Sequence, residues 1–299
     1  ADADQLFERI RKEHPKSLLI NDVRYRLAQR AAEGGNYARA KELLKELTDA
    51  QPEEKLRNAA DLLRGQVAVA EADWPAAQAI FESLAQRIEG DDRLWIEFWW
   101  AESHYRQDQF DEAERVLASL ASRAEKKTEA WFAMVPLRRA QILAQRGRWA
   151  EALAMAESVA KEFPKFELLY EIDFVIGRCL HAQGQLDEAR AAFARVTASP
   201  RGAKTETAAK AQFWIAETHF HQKNYEPALR EYLRLEILYD FPQWRAAALL
   251  QAGKCQMQLG APAEAIALFE RLLKNYPESP VAAEAKEALA KLSAALPKR

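Results

Sequence analysis

The feature that most constrains this chain is a short pattern that returns seven times at nearly constant spacing. The pattern is a turn residue, any residue, an apolar residue, two more residues and an alanine. It reads G-N-Y-A-R-A at 35–40, A-D-W-P-A-A at 72–77, D-Q-F-D-E-A at 108–113 and G-R-W-A-E-A at 147–152. It continues with G-Q-L-D-E-A at 184–189, K-N-Y-E-P-A at 223–228 and G-A-P-A-E-A at 260–265. The closing alanines are 37, 36, 39, 37, 39 and 37 residues apart. A fixed period of this length marks a repeat architecture, in which each unit hides its apolar face only by stacking on its neighbours.

Each pattern predicts two helices joined by a tight turn. Gly at the turn ends the first helix, because it alone takes a left-handed conformation cheaply. Asn36, Asp73 and Asn224 are expected to cap the second helix. Pro75, Pro227 and Pro262 fall in its first turn, where a missing N–H does little harm. Four residues after the alanine comes Leu44, Phe81, Leu117, Ala156, Phe193, Tyr232 or Phe269. Seven after it comes Leu47, Leu84, Leu120, Val159, Val196, Leu235 or Leu272, so one helix face is apolar. Scarce Gly (10) and Pro (12) in a chain rich in Ala, Leu, Glu, Lys and Arg fit helices throughout.

With the pattern A-x3-F and prolines twelve residues after the alanine at Pro52, Pro164 and Pro277, the chain resembles the tetratricopeptide repeat family. The family's small crossing residue falls on Ala28, Gly65, Ala101, Ala140, Gly177, Ala216 and Gly253. The resemblance implies an all-α fold, a right-handed α-α superhelical solenoid of helix hairpins spanning 1–299. Seven repeats are expected at about 18–53, 54–91, 92–127, 128–165, 166–202, 203–242 and 243–278, with a capping helix at 279–296 opened by Ser279 and Pro280. The repeats exceed the family's usual length of about 34 residues. Pro136 early in one first helix suggests that 128–134 is kinked or a separate turn. Residues 2–14 carry the second-helix pattern through Ala3, Phe7, Ile10 and Pro15, so 1–17 is expected to be the second helix of a partial repeat, either in a chain cut from a longer protein or in one that opens with a lone capping helix. The junctions E-H-P-K-S, E-F-P-K and N-Y-P-E-S are similar to those of bacterial envelope members of the family, of the outer-membrane assembly lipoprotein and Tol-Pal coordinator type. That implies a bacterial protein; the same helix-ending Pro and capping Ser serve cytosolic relatives, so periplasm and cytoplasm both stay open.

The family's register lines an inner groove with the residues three before, one after and four after each crossing residue. Partner-binding candidates on this register are Tyr25, Phe98, Glu102, Tyr105, Phe174, Arg178, Phe213, Glu217, Phe220 and Lys254. Trp95 and Trp99 join them from the run W-I-E-F-W-W at 95–100, while Trp100 is expected to face the paired helix. Large rings beside a polar residue in each repeat suit a protein or peptide segment. Truncating Phe98 together with Phe213 is expected to weaken capture without unfolding the chain. The clamp with which the family grips a C-terminal carboxylate needs Asn after the crossing residue, and here those places hold Gln29, Gln66, Glu102, Gln141, Arg178, Glu217 and Lys254. The expected function is therefore a scaffold or adaptor. The alternative is an architectural or regulatory module of a larger protein, with self-association through its N-terminal end.

Catalytic, cofactor and metal roles find no pattern in the chain. His219 and His221 are two residues apart and face different sides of a helix, and His14, His104 and His181 are scattered. No phosphate-binding Gly loop or nucleophile elbow occurs. A net charge of -2 without a basic stripe argues against nucleic acid, and no run is long and apolar enough for a membrane span. Cys179 and Cys255 occupy one register position two repeats apart, too far for a disulfide, so two free buried thiols are expected.

Overall fold

The computed structural model describes residues 2–123 and 129–295. It contains sixteen α-helices among the described residues and no strand. The helix α1 (Asp2–Glu13) precedes seven hairpins. These are α2–α3 (Ile20–Glu33, Tyr37–Asp49), α4–α5 (Glu54–Ala70, Trp74–Ala85), α6–α7 (Asp91–Arg106, Phe110–Arg123) and α8–α9 (Met134–Gln145, Trp149–Glu162). Then come α10–α11 (Leu169–Ala182, Leu186–Ala198), α12–α13 (Glu206–His221, Tyr225–Leu238) and α14–α15 (Pro242–Gln258, Pro262–Asn275), before a last helix, α16 (Ala282–Ala295). The chain divides into two compact units, 1–127 and 128–299, the first ending with the third hairpin and the second holding the remaining four. The fold is all-α, and in each unit successive helices pack side by side.

The seven hairpin turns share one backbone solution. The residue five before each closing alanine has a left-handed φ, at Gly35, Gly147, Gly184 and Gly260 (73° to 78°) and at Ala72, Asp108 and Lys223 (57° to 62°). The next N–H then reaches back five residues, as from Asn36 to Ala31 (2.8 Å) and from Arg148 to Leu143 (2.9 Å). This is the Schellman closure, which satisfies carbonyls that the ending helix would orphan. Capping follows the sequence in part. The side chains of Asn36 and Asp73 accept from Arg39 and Ala76 N–H, each at 3.2 Å. Asn224 holds the cap position but its side chain accepts no such bond, because the residue three on, the donor in the other two hairpins, is Pro227 and has no N–H. Ser279 does not open the last helix. Its carbonyl accepts from Ala282 N–H in a turn, and α16 begins at Ala282, two residues after the Pro280 expected to open it. Before Pro136 the chain makes a separate 3-10 turn, Ala130–Ala133, the second of the two outcomes read from the sequence; Thr128 lies outside the described residues.

The core is the register itself. All seven closing alanines, the residues four and seven beyond them, and all seven small crossing residues are buried. Crossing residue and facing side chain are matched in size. Gly65, Gly177 and Gly253 face Phe81, Phe193 and Phe269, and a Cβ on any of the three would intrude on the ring. Where the crossing residue is Ala28, Ala101 or Ala140, the residue in the equivalent place is Leu44, Leu117 or Ala156. Interiors pack at crystal density, so a methyl gained on one helix requires atoms lost on the other. Ala216 opposite Tyr232 departs from the pattern, and there the phenol hydroxyl donates to Glu217.

Within each unit the layers are unequal. Between adjacent repeats the second helix of one packs on the first helix of the next, as α5 on α6, α11 on α12 and α13 on α14. First helices also touch one another, α2 with α4 in the first unit and α8 with α10, α10 with α12 and α12 with α14 in the second. First helices thus meet across repeats as well as within them, on the side where the family register expects an inner groove.

Candidate partner-binding surface

In the first unit the candidates cluster on α6. Trp95 packs on Phe98 and Trp99, with ring centroids 5.9 and 5.5 Å away, and Trp99 stacks on Phe81 of α5 at 6.3 Å. Phe98 is only 1% exposed, so its ring belongs to the core, and the expectation that its truncation leaves folding intact is corrected. The reason is local: a helix apolar nearly all round cannot keep every ring in water. Glu102 is likewise buried and takes an ion pair from Arg106 at 2.7 Å. Tyr105 meets Phe110 at 5.7 Å and stays half-buried, as does Tyr25 beside the cluster of Val23 and Leu27. Trp100 turns toward the paired helix α7, where the Arg115 guanidinium lies 5.8 Å from its ring.

In the second unit the candidates meet across repeats. The Arg178 guanidinium of α10 lies 4.2 Å over the ring of Trp214 on α12. His181, one turn beyond Arg178, meets the same indole edge-on at 4.8 Å. Its Nε2 is 3.0 Å from Nδ1 of His221, so the two imidazoles share a hydrogen bond. The other nitrogen of His221 is 3.6 Å from Glu217. Glu217, buried, accepts from the Tyr232 hydroxyl. Phe213 packs between Tyr232 and Trp244, each at 5.5 Å, and the Trp244 indole donates to Glu206 at 2.9 Å. Phe174 leans on Phe193 at 5.7 Å and Phe220 on Tyr225 at 5.4 Å. Phe174, Phe213 and Phe220 all keep part of their surface open. Lys254 of α14 pairs with Glu284 at 2.7 Å.

Burial sets the charges. It pulls His181 down to about 4, helped by neighbouring His221 and Arg178, so this ring is neutral at neutral pH. Burial also lowers Arg178, which at the guanidinium's high starting value stays charged. Burial first, then the Glu217 charge, pushes the Tyr232 phenol up. The two thiols, Cys179 and Cys255, are free and buried, and burial raises them to about 11 and about 12.

The sequence reading missed two participants. Trp214 lies just outside the three register positions, and His221 was weighed only against His219, two residues away on another side of the helix. The signal was present in the numbering: His181 and His221 are 40 residues apart, about one repeat, and such residues become neighbours when hairpins stack. His219, as expected, points elsewhere, toward the charges of Arg190 and Glu231 on second helices. Among the described residues no group of three or more His, Cys, Asp or Glu side chains could hold a metal ion, and no helix is long and apolar enough to cross a membrane.

Models of the tetratricopeptide repeat match residues 137–204 and 247–279. No curated protein matches the chain by sequence. Among solved structures, the apo form of RapI superposes with a TM-score of 0.67 at 12% identity, over 91% of this chain and 80% of that one. A tetratricopeptide repeat protein from Parabacteroides merdae gives 0.66 at 14% identity, over 91% and 98%. A Rap protein complexed with Competence and Sporulation Factor gives 0.58 at 14% identity, over 98% and 93%. At such identities the likeness concerns the fold. The matched models mark tetratricopeptide repeats at 137–204 and 247–279, and the period, the buried register and this fold carry the same helix-hairpin architecture through the other hairpins.

Proposed function

We propose that the chain is a protein-interaction scaffold that holds a segment of a partner against the concave face of its first helices. The observation that carries this reading is the cluster of part-open rings on α10, α12 and α14, with Arg178, His181 and Trp214 at its centre. Large aromatics beside a few polar groups are the usual anchors of an interface. The Rap protein complexed with Competence and Sporulation Factor shows a relative in fold holding a factor. The second-unit candidates Phe174, Arg178, Phe213 and Phe220 form the main surface, with Glu217 buried beneath it and Lys254 at its edge. Tyr25, Trp95, Trp99 and Tyr105 form a lesser one in the first unit. The test is capture of partners with this chain as bait. Phe174→Ala combined with Phe213→Ala should reduce capture severalfold while helicity is kept; undiminished capture would refute the surface.

A second reading has its own observation. Leu18 is 99% exposed, Leu19 65% and Leu6 49%, all at the α1–α2 end. Three such leucines together suit self-association or docking into a larger assembly. A concentration-dependent dimer lost in Leu18→Ser with Leu19→Ser would place assembly there.

A further inference from the structure

The same register position carries a charge in four repeats, at Glu102, Arg178, Glu217 and Lys254. Three of these are matched locally, Glu102 by Arg106, Glu217 by Tyr232 and His221, and Lys254 by Glu284. Arg178 differs. Among the described residues it has no carboxylate partner and no hydrogen bond, only the face of Trp214 at 4.2 Å. It is also partly buried, and no acidic side chain contributes to its electrostatic surroundings. A partly buried guanidinium without a counter-ion, packed on a ring and with its donors turned to solvent, is prepared for an anion.

We propose that the concave face between α10 and α12 binds a carboxylate side chain of a partner protein, with Arg178 as its cation, Trp214 beneath that cation and His181 at its flank, inside an otherwise apolar segment of that partner. This rests on the groove reading above and names the chemistry of its occupant.

The local charge selects a monoanion. Arg178 supplies one positive charge, His181 is neutral, and the Glu217 carboxylate lies behind His221. A phosphate dianion would meet too little positive charge, and a nucleic-acid strand needs several cations in line. A metal ion is disfavoured as well, because the imidazole pair already shares a hydrogen bond and sits beside the guanidinium. The half-open rings of Phe174, Phe213 and Phe220 around the cation favour apolar residues on either side of the acid.

The experiment is selection from a randomised peptide library displayed on phage, against the full chain and against Arg178→Gln and Arg178→Lys. The full chain should enrich peptides with Asp or Glu at one fixed place between apolar residues. In a selected peptide, exchanging that Glu for Gln should weaken binding to the full chain roughly tenfold to a hundredfold. It should have little effect on Arg178→Gln, whose helicity and melting should match the parent, and an intermediate effect on Arg178→Lys. Apolar peptides without a fixed acid, lost on Phe213→Ala, would overturn the carboxylate site and leave the groove reading standing. No enrichment at all would overturn both. Tight, Arg178-dependent binding of a labelled oligoadenylate in moderate salt would overturn the carboxylate assignment in favour of phosphate.

Discussion

Adding one methyl group at Gly253 tests how the hairpins are locked. A Cβ there would sit 2.7 Å from Cζ and 2.8 Å from Cδ1 of Phe269, and closer still to Cε1. The ring is fully buried among Leu249, Leu250, Ala265 and Leu272, so it has no open side into which to swing. Overpacking of this kind costs about 1–3 kcal/mol. Against that, replacing a helical Gly by Ala returns about 1 kcal/mol of propensity. The difference lies between about 0 and 2 kcal/mol, and with Cε1 the nearest of three ring atoms under 3 Å and no room for the ring to move, we expect Gly253→Ala to destabilise the chain toward the upper end, by about 2 kcal/mol. Phe269→Leu alone should also cost about 1 kcal/mol or more through the space it leaves. The two together recreate the Ala28–Leu44 and Ala101–Leu117 pairing found elsewhere in the chain, so the double variant should be more stable than the sum by at least about 1 kcal/mol. Urea titration followed by far-UV circular dichroism reads this as a midpoint shift for each variant of the full chain. A neutral Gly253→Ala, or strictly additive effects, would refute the argument that size matching across the crossing sets the packing.

Other outcomes follow from the same structure. Ala72→Gly and Lys223→Gly should each stabilise the chain by about 0.5–1 kcal/mol and so raise the urea midpoint, because both residues hold a left-handed turn that costs non-glycine side chains; a loss of stability would contradict the turn geometry. His181 has a folded value near 4 against an ordinary 6.5, so the stability tied to its neutral form is present above pH 6.5 and lost as pH falls toward about 4. The melting temperature should therefore drop through that window, and drop less in His181→Gln. The thiols, raised to about 11 and about 12, should resist a thiol reagent at pH 8 in the native chain and both react on unfolding without reductant. Their contribution to stability is present below about pH 9 and lost as pH rises toward those values; two fast-reacting native thiols would contradict their burial.

The hairpins were legible in the sequence because a helix pair is decided locally. A turn residue with a left-handed φ, a small residue at the crossing and an apolar face at spacings of four and seven leave one way to close, and the buried positions follow that register. What was not legible depends on neighbours outside the hairpin. Whether Phe98 lies in a groove or in the core turns on the rings that surround it, and the helix sequence is equally consistent with both. Asn224 and Ser279 show a smaller limit. Both are good capping types, but the donor that Asn224 would need falls on Pro227, which has no N–H, and Ser279 lies in a turn that ends before the helix starts. The pairing of Arg178 with Trp214, and of His181 with His221, joins residues of different repeats. It is found by counting one period along the chain rather than by reading any single helix.

The most direct test of the account is hydrogen exchange of the full chain with and without a captured partner or selected peptide. Added protection should fall on α10, α12 and α14 and centre on 174–181 and 210–221. Protection confined to the second helices α11, α13 and α15 would contradict the claim that the inner face of the stacked first helices is where this protein holds its partner.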